Sequence, residues 1–272
     1  MGNALFIVWR ESVEAILIIS ILLAWIRERG DTRIGVHHLW AGVGGGLALA
    51  GFLALAMLGV HGWLAADALD LFQTAIVFAA AGLITHMVLW MRSHGRTMKR
   101  DLEAGLARAA TTAGGTSVAL LAAIAVGREG AETVLFLYGL AMEQSGETLA
   151  RLFAGAGIGF VLALATAWVI LSGARWLPGR VFFRVSEIVL LLLAAALLVS
   201  GVERLIDLEW LPPLIEPVWD SSMLLEDGST AGGIAAAFAG YRAQPSLMVL
   251  IAWLSYWALV ALLGRVQRRS AA

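Results

Sequence analysis

Cysteine is absent from the 272 residues, which excludes disulfides, thiolate metal sites and thiol catalysis. Charge is scarce as well. Only 14% of residues are charged against 60% hydrophobic, where a soluble domain carries about 25% charged, and mean hydropathy is +0.83. That is too little charge to cover a water-facing surface. Lysine is reduced to Lys99 beside arginines, a bias that, with abundant Ala and Gly, points to a GC-rich bacterial genome. The formal net charge of −1 and the lack of a basic tract give no sign of nucleic acid as a partner. Nor does the chain offer a Gly-x-x-x-x-Gly-Lys-Ser/Thr loop for ATP, a His-Glu-x-x-His pair, or an activated Ser or Cys. These absences argue against an enzyme and against any prosthetic group.

Long apolar runs are abundant. A helix needs about 20 mostly apolar residues to cross the hydrocarbon, and seven stretches qualify: roughly 4–26, 39–60, 69–91, 116–141, 152–172, 182–204 and 246–264. The first does not read as a cleavable leader, because it lacks a basic start and is interrupted by Arg10, Glu11 and Glu14. Basic residues near spans stay in the cytoplasm. Arg27, Arg29 and Arg33 follow span 1; Arg92, Arg96, Lys99, Arg100 and Arg108 follow span 3. Arg175, Arg180 and Arg184 surround the span 5–6 turn, and Arg265, Arg268 and Arg269 close the tail. The alternate segments hold only Arg151, Arg204 and Arg242. The expectation is an all-α integral membrane protein with seven transmembrane helices, N-terminus outside and C-terminus cytoplasmic, in a bacterial inner membrane. Trp25, Trp40, Trp63, Trp90, Trp176, Trp210 and Trp219 fall at or beyond span ends, where interfacial tryptophans belong.

The chain also repeats itself. Arg10-Glu11-Ser12-Val13-Glu14 in span 1 returns as Arg128-Glu129-Gly130-Ala131-Glu132 in span 4, and Gly42, Gly44 and Gly46 in span 2 return as Gly155, Gly157 and Gly159 in span 5. Spans 3 and 6 pair more weakly, with Gln73 opposite Glu187. Three spans is an odd number, so the second copy enters the membrane the other way round. The chain reads as a single transporter domain over 1–272: repeat A about 4–91, repeat B about 116–204, and span 7 about 246–264. Inverted repeats place a transport site near the midplane between the halves. The glycines read as close-packing positions.

The charged motifs carry the chemistry. Residues three and four apart share a helix face, so Glu11 and Glu14 point one way, as do Glu129 and Glu132. A charge at a helix centre costs about 2.5–3.5 kcal/mol, so six cost on the order of 15–20 kcal/mol uncompensated. Two arginines against four glutamates leave −2, and a cation between two Glu-x-x-Glu pairs supplies the balance. Oxygen-only ligation selects hard ions such as Fe³⁺, Mg²⁺, Ca²⁺ or Mn²⁺. Arg10 and Arg128 cannot ligate and read as groups that keep the carboxylates ionised and oriented. A proton-coupled or other divalent cation transporter (Mn, Mg, Ca) using the same carboxylates is the alternative, and pure helix glue a further one. Glu187 and, more weakly, Gln73 and Asp220 are candidates for the ion's path. Outside, Asp67, Asp70, Glu143, Glu147 and the seven acids from Glu203 to Asp227 read either as a negative mouth that raises local cation concentration or as ordinary solvated loop residues.

A doubled Arg-Glu-x-x-Glu in matched spans resembles the oxidase-dependent, high-affinity iron permeases, the bacterial Efe-type permeases in particular. Leu71-Phe72-Gln73, Trp90-Met91-Arg92 and Gly240-Tyr241-Arg242-Ala243-Gln244-Pro245-Ser246 look like segments of that family too. The resemblance implies that Glu11, Glu14, Glu129 and Glu132 bind iron, with Arg10 and Arg128 as motif arginines. It implies inward iron movement, Fe²⁺ or Fe³⁺ being the substrate and not a cofactor. It also implies an extracytoplasmic oxidase or iron-delivery partner beside the bilayer-embedded chain. Two departures stand out. The usual Gly-Leu between the motif's glutamates is Ser12-Val13 and Gly130-Ala131, and Gln73 stands where the family has an acid.

Overall fold

The computed structural model describes residues 2–29, 36–63, 66–94, 100, 104, 115–142, 147–171, 179–227 and 229–270. Arg33, Arg96, Lys99, Arg108, Arg175, Asp31, Asp101, Glu103, Glu143 and Trp176 lie outside the described residues. The helices are α1 (Gly2–Arg29), α2 (Val36–Trp63), α3 (Ala66–His94), α4 (Gly115–Met142), α5 (Glu147–Leu171), α6 (Gly179–Asp207), α7 (Thr230–Ala239) and α8 (Leu247–Ser270), and no strand occurs among the described residues.

Each of the seven apolar stretches coincides with a helix. The first four helices and α6 overrun their stretch at both ends, because helical hydrogen bonding continues after the apolar run stops. Five of them, α2, α3, α5, α6 and α8, are long and apolar enough to cross a membrane. The other two, α1 and α4, have 28 residues each, about 42 Å at 1.5 Å per residue. Only charge sets them apart, since any 18-residue window of either contains at least three charged residues.

The short α7 has no counterpart in the apolar-run reading. Ten residues are too few to span, and Gly232-Gly233 weaken helix propensity. Tertiary contacts and caps compensate. Ser229 caps the start by accepting from the Gly232 amide, and Gly240 ends the helix with φ 68°, a left-handed conformation that glycine adopts without penalty. Asn3 of α1 donates to the Ala237 carbonyl at 3.0 Å, and Trp253 of α8 to that of Ala239 at 3.1 Å.

Helix pairing follows a rule. α1 packs on α5, α2 on α4, α3 on α6, and α1 on α4, while α8 covers α6 and α3 and α7 lies against α6. Exchanging α1 with α4, α2 with α5 and α3 with α6 leaves these four pairs, the most extensive among the first six helices, unchanged; the lesser ones depart from it, since α3 packs on α4 far more than α6 does on α1. The same exchange holds at atomic scale. A Cβ on Gly46 would sit 2.8 Å from the Ala123 carbonyl oxygen, and one on Gly159 would run into the Leu5 carbonyl oxygen. Gly159 follows Gly46 at the glycine offset, and Ala123 follows Leu5 at the offset of the charged motifs. Gly44 and Gly157 both face open space, so close packing accounts for Gly42, Gly46 and Gly159 but not for the glycine between each pair.

Burial concentrates between α3 and α6, where Val77, Ala80, Ala81 and Ile84 meet Leu190, Leu193, Ala194 and Leu197. α2 and α5 are peripheral and expose Leu47, Phe52, Leu55, Phe160, Val161 and Trp168. Such apolar exposure has no place in water and suits contact with lipid tails.

Candidate metal centre

Because α1 packs on α4, the two charged motifs face one another inside the bundle. Arg10, Glu11, Glu14 and Glu129 are all buried. Glu11, Glu14 and Glu129 each offer a carboxylate oxygen, and these oxygens lie within 4.8 Å of one another. Opposed oxygens around a hard cation stand about 4–5 Å apart, so the spacing suits a single ion. Glu132 lies at the edge of the group, its side chain 17% exposed and facing Arg128.

The arginines satisfy part of this negative charge. Arg10 donates to Glu11 at 2.7 Å and pairs with Glu14 one turn on. Arg128 sits 3.2 Å from both Glu129 and Glu132. One oxygen on each of Glu11, Glu129 and Glu132 is buried with no hydrogen-bond partner among the described residues. A buried carboxylate oxygen left unsatisfied costs several kcal/mol. The convergence of Glu11, Glu14 and Glu129, with two of these unpartnered oxygens among them and four carboxylates against two guanidiniums, is a donor set suited to a cation.

The repeats are not equivalent here. Arg10 is 3% exposed and Arg128 46%. Arg10 also directs one nitrogen to the Met87 sulfur at 3.0 Å and the other to the Met91 sulfur at 2.8 Å. Arg128 lies 5.4 Å from the centroid of the Trp90 ring. The sequence shows Trp90 as an interfacial anchor and Trp90-Met91-Arg92 as a family-like segment, and gives Met87 no part. The i, i+3, i+4 spacing of Met87, Trp90 and Met91 is a further signal, but one that apolar core residues share.

The remaining candidates lie elsewhere. Glu187 of α6 pairs with Arg92 of α3. Gln73, near the opposite end of α3, accepts from Arg204 of α6 at 3.1 Å. The antiparallel α3–α6 pair is thus linked at both ends, by an ion pair at one and by a hydrogen bond to a neutral amide at the other. Asp220 is exposed on the segment between α6 and α7. It accepts from the Ser222 amide and from Gln244, both at 2.9 Å. Hydrogen bonds from Ser222, and then Gln244, hold its carboxyl below the usual aspartate value. None of the three belongs to the clustered oxygens.

The 240–246 segment organises that end of the bundle. Tyr241 hydroxyl contacts Ser221 at 2.7 Å and donates to the Leu225 carbonyl. Arg242 forks onto Glu203 at 2.6 and 2.7 Å, Ala243 donates to Asp227, and the Pro245 carbonyl accepts from Val218. A cavity of about 650 Å³ lies there, lined by Asp70, Thr74, Glu203, Arg204, Asp207 and Arg242 among others.

Fold and site together define a multi-pass helical membrane protein with a buried acidic cluster where two helices meet. The chain belongs to the iron permease FTR1 family, whose sequence model matches residues 1–267. An uncharacterized protein of Archaeoglobus fulgidus is 30% identical, with 98% of this chain and 95% of the relative covered. The ferrous iron permease EfeU of Escherichia coli O6:K15:H31 is 28% identical over 92% of this chain and 90% of its own, and that of Yersinia pestis 26% over 92% and 88%. No solved structure matches the chain. The protein is therefore a membrane permease of an iron-transporting family.

Proposed function

We propose that the protein moves iron inward across a bacterial cytoplasmic membrane and binds it on Glu11, Glu14, Glu129 and Glu132, Arg10 and Arg128 holding these carboxylates ionised and in place. The observation that carries this reading is the convergence of three buried carboxylate oxygens within 4.8 Å, with unpartnered oxygens on Glu11 and Glu129, in a chain of an iron permease family.

In this reading α1 and α4 cross the membrane with the five more apolar helices. The N-terminus lies outside and the C-terminus inside, as the arginine distribution requires. The exchange symmetry of the packed pairs supports a 3+3 inverted repeat within one transporter domain, with α8 added. The segment between α6 and α8 is the outer, acidic face where iron enters, and an extracytoplasmic oxidase or iron-delivery partner would act there. The membrane potential contributes about 2.3 kcal/mol per charge per 100 mV, so about 5–7 kcal/mol for Fe²⁺ or Fe³⁺, a drive that needs no ATP.

The test is radioactive iron uptake into membrane vesicles by a Glu11→Ala, Glu129→Ala double variant. Uptake falls to background if the carboxylates hold the ion, and unchanged uptake overturns the reading. An anomalous signal at the iron edge between α1 and α4 in an iron-soaked crystal is the expected direct view.

A further inference from the structure

Met87, Trp90 and Met91 stand at i, i+3 and i+4 on α3, one face of that helix. That face meets both motif arginines, although the arginines come from different repeats. Arg10 Nη1 lies 2.7 Å from a Glu11 oxygen and 3.0 Å from the Met87 sulfur, and Nη2 reaches both Glu14 and the Met91 sulfur. Arg128 is 3.2 Å from its glutamates with its guanidinium over the Trp90 ring. Each arginine thus bridges a carboxylate pair and an uncharged partner on α3.

We propose that Met87, Trp90 and Met91 are positioning residues that seat the two arginines when iron takes the carboxylates. This rests on the four-carboxylate reading. A cation arriving on the glutamates repels the guanidinium already paired with them. A guanidinium has five donors and cannot lose its proton, so it needs somewhere to go within a low-dielectric interior. Hydrocarbon would leave its donors unsatisfied. An acid on α3 would compete for the metal. A thioether is a weak, polarisable acceptor, and a tryptophan face attracts a cation through its quadrupole. Both hold an arginine without adding charge beside the site. The seats differ as the arginines do: two sulfurs for the buried Arg10, a ring for the half-exposed Arg128.

The test measures Fe²⁺ binding to the purified full chain. Met87→Leu with Met91→Leu keeps volume and removes both sulfurs. Half-saturation is expected to rise about tenfold, at the low end of what losing a partner of a metal ligand costs. In an Arg10→Gln background, where no arginine needs a seat, the same pair of changes is expected to shift it less than about twofold, as a shared partner requires. A tenfold shift that persists in that background means the sulfurs act on the metal or on folding and overturns the proposal. So does loss of iron binding by R10Q alone, or an unchanged half-saturation in M87L/M91L. Trp90 gives an independent arm: W90L raises half-saturation about two- to fivefold, the worth of an exposed cation–π contact, and W90F recovers most of it. Equal loss in W90L and W90F overturns the ring's part. Glu11→Gln with Glu129→Gln tests the underlying site separately. Retained binding there fails the four-carboxylate reading, whereas loss there beside unaltered M87L/M91L binding removes only the seats.

Discussion

At the scale of single residues, Arg10 decides how four carboxylates can coexist in an apolar bundle. Its side chain and that of Glu11 are 3% and 1% exposed, so the pair is read as buried, where removing one partner costs about 3–5 kcal/mol. Arg10→Gln therefore lowers the melting temperature of the detergent-solubilised protein in the absence of metal. A cation on the same carboxylates replaces part of the lost charge, and a ligand that binds only the folded state stabilises it. Adding ferrous iron is expected to raise the melting temperature of R10Q more than that of the parent. Equal shifts would show that arginine and metal do not share the glutamates. The half-exposed Arg128 gives the smaller effect when changed in the same way.

At the scale of helices, the two halves interlock through glycine. Gly46 lies in the α2–α4 contact and Gly159 in the α1–α5 contact, each with a neighbouring carbonyl where a Cβ would go. Gly46→Ala and Gly159→Ala must push these helices apart, and overpacking of this kind costs about 1–3 kcal/mol. Gly44→Ala and Gly157→Ala meet nothing within 4 Å and gain helix propensity, up to about 1 kcal/mol. Thermal unfolding of the four variants should separate them into two destabilised and two unharmed or stabilised, and a uniform response would remove the symmetry argument. The α3–α6 pair gives a second contrast. Gln73→Glu turns the hydrogen bond from Arg204 into a charge-assisted one, roughly twice as strong, and should raise the unfolding temperature. Glu187→Gln does the reverse opposite Arg92 and should lower it.

For the whole molecule, the near-zero net charge conceals polarity. In the proposed orientation the outer side carries Asp67, Asp70, Glu143, Glu147, Glu203, Asp207, Glu209, Glu216, Asp220, Glu226 and Asp227 against Arg151, Arg204 and Arg242. An acidic mouth attracts cations over about one Debye length, ~10 Å at 0.1 M salt and ~30 Å at 0.01 M. Initial iron uptake at sub-saturating iron should fall as potassium chloride is raised from 10 to about 150 mM, with little change in the saturated rate. A rate indifferent to salt would leave the loop acids as ordinary solvated side chains.

Hydropathy, arginine placement and the recurrence of Arg-Glu-x-x-Glu are properties of the chain, and they were enough to locate the long helices and the Glu11, Glu14, Glu129 and Glu132 candidates. They sufficed because crossing a membrane demands an unbroken apolar run, and because intramembrane charge is too costly to occur by accident. What the chain could not reveal depends on which helix lies against which. Met87 and Met91 look like core residues until α3 is placed beside α1, and Trp90 like an anchor until Arg128 lies over it. Nor does the chain show that Gln73 and Glu187 have Arg204 and Arg92 opposite them. α7 is invisible to hydropathy because its ten residues are held by caps and by contacts from Asn3 and Trp253. Local sequence determined the helices and the charge they carry, since both follow from neighbours along the chain. Only the tertiary structure decided the partners of those charges, since a buried guanidinium or carboxylate takes its partner from whatever helix packing brings within reach.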